Sequence, residues 1–308
     1  MSAPTGHAPR PAATPRVNVA AARRIQRAKE VWREFSSNRA GLTGLIVLVA
    51  VIALALLAPL LAPANTLDVT QITAGQNEPP SWANPLGTDP AGRSVLAMLV
   101  WGARISLLVG FSATAVSMVI GTVVGMAAGH FTGLTQAVFM RVIDFFLVVP
   151  GLVLAIVLSS IIGPGVATII IAIGITSWAG TARLVRSQTL TVESRAYIER
   201  SWALGASDAH VIRKHVLPAV MPLVLANTTL TVGSAVIAES TLSFLGLGDP
   251  GSISWGSMLK TALDTGAATG GFWWYVLSPG LAIVAVVLCF TLVGRALESV
   301  INPTLRGR

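Results

Sequence analysis

Gly41-Leu-Thr-Gly-Leu-Ile-Val-Leu-Val-Ala50-Val-Ile-Ala-Leu-Ala-Leu-Leu-Ala-Pro59-Leu-Leu-Ala62 contains no charged side chain and, apart from Thr43, no polar one. A helix needs roughly 20 such residues to cross about 30 Å of hydrocarbon, and this run meets that requirement alone. It is apolar all round, unlike a helix on the surface of a soluble domain, which keeps one polar face. Outward along the chain the pattern recurs. Apolar segments extend from about Ile105 to Gly129, Val142 to Ile162, Val166 to Ala182, Leu217 to Leu245 and Trp274 to Val293. The fourth follows the breaker Gly163-Pro164-Gly165. The sequence predicts an all-α polytopic membrane protein with six transmembrane helices.

Composition agrees. Of the 308 residues 53% are hydrophobic and 11% charged, less than half the roughly 25% charged residues of a soluble domain. The mean hydropathy is +0.73. A net charge of +8 would suit nucleic acid if the basic residues lay on a solvated face among aromatics. Here they sit between apolar runs, so no nucleic-acid partner is expected. With the N-terminus cytoplasmic, 18 of the 21 Lys and Arg fall inside and only Arg93, Arg104 and Lys260 outside. The positive-inside rule then places both termini in the cytoplasm. Trp101 and Trp273-Trp274-Tyr275 open the second and sixth spans at the outer interface, where amphipathic rings are favoured. The single cysteine, Cys289, lies inside an apolar run, which leaves no disulfide framework and no cysteine metal site.

Residues 1–40 form a basic tail in two parts. Met1 to Pro15 is rich in Pro and Ala, a composition that favours disorder. Val19 to Arg39 reads as a basic helix with Val31, Trp32 and Phe35 as its apolar group, suited to the inner membrane surface. A cleaved signal peptide does not fit, because about forty residues before the apolar run far exceed an n-region. A twin-arginine signal at Arg23-Arg24 fits less well, since the apolar run starts well downstream.

Catalytic and motor chemistry lack their parts. Lys29, Lys214 and Lys260 follow Ala28, Arg213 and Leu259, so no Gly-Lys-Ser/Thr phosphate loop exists. His7, His130, His210 and His215 lie in the tail or at the cytoplasmic rim, not beside a serine at membrane depth, as an intramembrane serine protease would require. Gly233-Ser234 therefore reads as helix packing, and no metal-ligand spacing is present. Gly121, Gly125 and Gly129 line one helix face, where small residues admit a close neighbour; packing within one bundle is favoured over a subunit contact. Ionisable groups at membrane depth are costly and commonly functional. Asp144 has Arg141 three residues earlier, so a local ion pair is favoured over a proton relay. Glu239 has no obvious local partner; it either pairs across helices or lines a cavity. Two lone acids and no evident duplicated halves count against an ion-coupled carrier.

Arg183 to His215 is the longest cytoplasmic loop. Glu193 to Leu204 holds good helix formers, Gly205 is a suitable stop, and Ser207-Asp208 suits the cap of a following helix. The result is a projecting knob. Tyr197, Ile198, Trp202 and Leu204 would be wasted on water, which favours a docking surface over a plain solvated loop.

The string Tyr197-Ile-Glu199, Ala203-Leu204-Gly205-Ala206-Ser207 and then Leu217-Pro218 resembles the EAA loop of ATP-binding-cassette importer permeases. Arg200 and Ser201 replace the two alanines of that pattern. Pro85-Leu-Gly-Thr-Asp89 with Gly92-Arg93, Gly102-Ala-Arg104, Met140-Arg141 with Asp144, and Ala238-Glu239-Ser-Thr-Leu242-Ser243 through Gly248 are similar to the dipeptide/oligopeptide permease C subfamily. Trp32-Arg, Phe35 and Asn38 resemble its N-terminal segment, and Ser94 stands where that subfamily usually has Asp. The resemblance covers about Val31 to the C-terminus. It implies a first transmembrane helix at 41–62, an extracytoplasmic segment at 63–99, a permease domain at 100–300 with its coupling loop at 183–215, and a cytoplasmic tail at 301–308. It also implies a second related permease, two cytoplasmic ATPases that hold the ATP and Mg, an extracytoplasmic binding protein, and a peptide substrate. No cofactor is expected on this chain. Tyr197 to Ser207 would meet the ATPase, and Glu239 and Ser243 would lie near the translocation path. Permeases for nickel chelates or another small solute share these motifs.

Overall fold

In lipid an apolar run must pair its own backbone groups, and a helix does so completely. The computed structural model, which describes residues 19–72 and 74–301, is built from such helices, with a lone bridge between Thr88 and Ser94. The expectations for residues 1–18 and 302–308 fall outside the described residues. Helix α1 (Val19–Ser37) is the basic helix, and α2 (Arg39–Leu56) is the first apolar run. Asn38 separates them, its side chain accepting from the Gly41 N–H at 3.0 Å. Pro59 sits in the one-turn α3 (Ala58–Leu61). Then follow α4 (Val95–His130), α5 (Gly133–Val148), α6 (Gly151–Ile162), α7 (Val166–Thr176) and α8 (Trp178–Glu193). Helix α9 (Ala196–Ala203) stands apart. Helix α10 (Asp208–Val211) continues through one π turn (Ile212–Val216) into α11 (Leu217–Phe244). Helices α12 (Trp255–Asp264) and α13 (Trp273–Ile301) complete the bundle.

Among the described residues five helical stretches are long and apolar enough to cross a membrane: α2, α4, α7 with α8, α10 with α11, and α13. The pair α5–α6 gives a sixth if counted as one span, but it is bent by 89°. The third span is therefore not the straight helix expected over Val142 to Ile162. Pro150 is the cause. A residue before proline is pushed out of the helical region, and Val149 is extended (φ −70°, ψ 126°). Helices α6 and α7 measure about 18 and 16 Å and form a hairpin that neither arm could extend across a bilayer alone.

Two further boundaries move. Helix α4 starts at Val95, not near Ile105, and its 36 residues reach about 54 Å. The fourth span continues as α8 to Glu193, so the loop expected from Arg183 is helical over its first third. Charge marks where lipid ends, but it does not stop a helix.

Helix α4 is the axis of the bundle, with α8, α11, α7 and α2 packed around it. Against α8 the approach is closest: a Cβ added at Gly121, Gly125 or Gly129 would lie 2.8, 2.5 and 2.8 Å from atoms of α8. The glycine face thus serves packing within the chain. Phe35 is buried against the region where Gly41 meets Ala296, while Val31 and Trp32 of the same helix stay exposed.

The two ends of the bundle differ in kind. At one end Asp89 is buried; it accepts from the Ala91 and Arg93 N–H groups (2.9 and 2.7 Å) and holds the Arg93 guanidinium at 2.7 Å. Thr88 accepts from the Glu78 N–H and donates to Gly75 O, both at 2.8 Å, and its carbonyl accepts from the Trp274 indole. Arg104 lies 5.6 Å over the Trp101 ring. At the other end, rich in Arg, α9 follows α8 and packs near its end, Ile198 being buried with Val192.

Candidate functional site

Helix α9 ends as its sequence predicts. Gly205 has φ +81°, its N–H donates to Trp202 O at 2.9 Å, and the Ala206 N–H donates to Ser201 O at 3.1 Å. These crossed bonds are a Schellman closure, which needs a left-handed residue at that position. Ser207 is the cap residue of α10 as expected, but its side chain makes no capping bond. One expectation for the knob is corrected: Ile198 is not on the projecting face. It is 1% exposed and packs with Val192, Val211 and Val216, a burial that stabilises by about 1.5–3 kcal/mol. Tyr197, Trp202 and Leu204 remain open at 43%, 41% and 82%. Glu199, Ala203 and Ser207 are exposed beside them, and Ala206 is half-buried. An eight-residue helix thus hangs on one buried anchor and shows the rest of its apolar surface.

Beneath α9 lies a residue that sequence reasoning did not single out. The His130 ring, at the last turn of α4, stacks on Trp202 with centroids 5.9 Å apart and planes at 26°. Its Nδ1 bonds Glu193 Oε1 at the end of α8, and its Nε2 is 3.8 Å from Asp208 Oδ1. Tyr197 lies 5.7 Å from the His215 ring. In the sequence His130 stands 63 residues from Glu193, so no local signal connects them.

Glu239 in α11 is fully buried, and it has local partners after all. Ser243 Oγ donates to Oε1 at 2.8 Å and Ser240 Oγ to Oε2 at 3.3 Å. Glu239 and Ser243 border a small cavity of about 10 Å³ together with Ile105, Asp249, Ser254 and Ser257, about the room of one water molecule. Asp249, in the loop after α11, keeps its carboxyl below the usual range because the Ser252 hydroxyl and then the Gly251 N–H donate to it. Glu239 and Ser243 therefore lie together beside this small cavity. Nearby, an open cleft of about 470 Å³ lies between Asp68, Arg93, Trp101 and residues 250–253.

The expected ion pair of Arg141 with Asp144 is replaced by another. Asp144 Oδ1 accepts from Arg183 Nη2 of α8 at 2.9 Å. An acid placed C-terminal to its base is the weaker order along a helix, and the packing of α8 on α5 offers Arg183 instead. Both groups are largely exposed. Among the described residues no cluster of His, Cys, Asp and Glu could hold a metal ion.

Comparison with known proteins agrees with this architecture. Residues 121–307 match the family described as binding-protein-dependent transport system inner membrane component. Residues 27–80 match the N-terminal TM domain of oligopeptide transport permease C. The chain is 37% identical over 279 residues to the dipeptide transport system permease protein DppC of Bacillus subtilis, covering 90% of this chain and 86% of that one. It is 35% identical to the di/tripeptide transport system permease protein DppC of Pseudomonas aeruginosa, covering 91% and 93%. With the glutathione transport system permease protein GsiD of Pectobacterium atrosepticum it shares 34%, covering 91% and 92%. A chain of the MetNI methionine ABC transporter in an inward-facing conformation has the same fold, with a TM-score of 0.54 and 21% identity over 66% of this chain and 96% of that one. This chain belongs to the family of binding-protein-dependent transport system inner membrane components, as a multi-pass permease subunit of the dipeptide/oligopeptide C type.

Proposed function

We propose that this chain forms, with a second related permease, the membrane path of an ATP-driven importer of dipeptides or oligopeptides. The single observation that carries the reading is α9: a short helix closed by Gly205, anchored by the buried Ile198, and leaving Tyr197, Glu199, Trp202 and Leu204 at least partly exposed. Such a surface suits a partner, and the peptide permeases among the relatives indicate the cargo. In this reading the Arg-rich end is cytoplasmic. Two ATPase subunits bind ATP and Mg and grip α9, and a binding protein delivers peptide at the opposite end. Closure of the ATPases moves α9, the helices carry that shift, and the path opens toward the binding protein. This chain performs no covalent step. An ion-coupled carrier would need free acids at depth, yet Asp144 is held by Arg183 and Glu239 by two serines.

The test is reconstitution of the whole complex in vesicles with a labelled mixture of di- and oligopeptides. Uptake should require ATP, the ATPases and the binding protein. Uptake by this chain on a proton gradient alone would overturn the reading. Periplasm-specific reporters should be active after Thr70 and Gly266 and silent after Ala206, as the charge bias requires.

A further inference from the structure

Helices α4 and α8 are locked by the glycine face at Gly121, Gly125 and Gly129, where backbone and Cβ atoms of α8 leave no room for a side chain. Two helices so joined shift as one body, because a packed interior is not continuously deformable. They finish side by side, and there the His130 ring meets four elements at once. It ends α4, bonds Glu193 of α8, stacks on Trp202 of α9, and faces Asp208 at the start of α10. The side chain of His130 is only 4% exposed. Ile198 fixes α9 by apolar contact, which resists separation but has no preferred direction of sliding. The stacked ring, bonded through Nδ1 to Glu193, adds a contact of fixed geometry.

We propose that His130 is a positioning residue for coupling: a clasp that passes movement of α9 to the α4–α8 pair. The inference rests on the transport reading above. A histidine in the last turn of a helix also complements the helix dipole, but that role needs neither Trp202 nor Asp208.

The experiment uses the complete complex in vesicles with the same labelled peptide mixture, and reads peptide moved per ATP hydrolysed. Complex yield and ATP hydrolysis are measured separately. A merely structural role would lower yield and both rates together and leave the ratio unchanged. In His130→Ala the ratio should fall by about tenfold, the loss of a hydrogen bond to a charged group plus a stacked ring, while ATP hydrolysis continues. His130→Gln, which keeps a donor for Glu193 but not the ring, should show an intermediate ratio. His130→Ala combined with Trp202→Ala should be no worse than the poorer single variant, because both remove one contact. A wild-type ratio in His130→Ala, or losses that add in the double variant, would overturn the clasp. If His130→Ala does not assemble, His130→Gln decides: a wild-type ratio there overturns the proposal. Absence of ATP-dependent uptake by the unmodified complex would instead sink the transport reading itself.

Discussion

Helices α9 and α12 are both short connectors between long helices, at opposite ends of the bundle, and they are built in opposite ways. Helix α12 is finished within the chain. Ser254 and Ser257 close a reciprocal capping box (2.8 and 3.2 Å), the Trp255 indole donates to Leu99 O, and the Trp255 N–H donates to Ser106 Oγ. Trp255 and Met258 are fully buried. Helix α9 has no side-chain cap at its start, one buried residue, and nothing within 4 Å of where a Cβ on Gly205 would stand. Helix α12 leaves Leu263 exposed but buries Trp255, Met258 and Ala262, whereas α9 buries Ile198 and leaves Tyr197, Trp202 and Leu204 at least partly open. In the proposed reading that open face of α9 is the one a partner covers.

Substitutions can break or sharpen that contrast. Gly256→Val should have the largest effect on the bundle. Its Cβ would stand 2.3 Å from Ser240 O, a backbone atom that cannot rotate away, so a cost at or above about 3 kcal/mol is expected. Thermal unfolding in detergent should show a clear drop; a wild-type midpoint would mean α12 is not a fixed part of the core.

Ser243→Ala comes next. It removes the 2.8 Å donor to Glu239 and leaves a buried acceptor less satisfied, at about 1–3 kcal/mol. The same unfolding measurement applies, and no change would show that the cavity supplies a replacement donor.

Gly205→Val tests the other half of the contrast. Positive φ penalises the new Cβ by about 1–2 kcal/mol, confined to the end of α9, so the bundle should unfold nearly as the wild type does. Transport and capture of the ATPase subunits should nevertheless fall sharply, as they should in Glu199→Lys. Normal uptake and normal capture in both would remove α9 from the coupling role. Asp144→Asn should matter least, since the pair with Arg183 is exposed on both sides and worth about 0–1 kcal/mol. A larger loss would show that this pair is shielded in the membrane.

The six apolar runs were legible because length and composition alone decide what lipid accepts. Their ends were not. Arg183 and Arg186 looked like loop residues, yet hydrogen bonding along α8 continues past them to Glu193. The bend at Pro150 was present in the sequence as a residue before proline, but Pro222 and Pro279 sit inside α11 and α13 without breaking them, so proline alone does not decide. Gly205 was legible because a helix stop demands little beyond its own residue. The inward turn of Ile198 was not, since Tyr197, Ile198 and Trp202 offer a short helix more than one apolar face. His130 and Arg183 escaped notice for a common reason: their partners come from other helices, and only the packed bundle brings them within reach.

The π turn at Ile212–Val216 has a consequence for how the knob is aimed. Here the Leu217 N–H reaches back five residues to Ile212 O, whereas each residue of an ordinary helix advances the azimuth by about 100°. The turn therefore holds one residue more than an α-helical path would use, and the wider ring absorbs it. Deleting a single residue between 212 and 216 would restore a uniform spiral and leave α10, with the Gly205 bend before it, facing nearly the same way, whereas adding a residue to the α-helical part of α11 would swing it by about that angle. The bearing of the projection is thus set by how the widened turn takes up its extra residue, separately from the side chains that form its face.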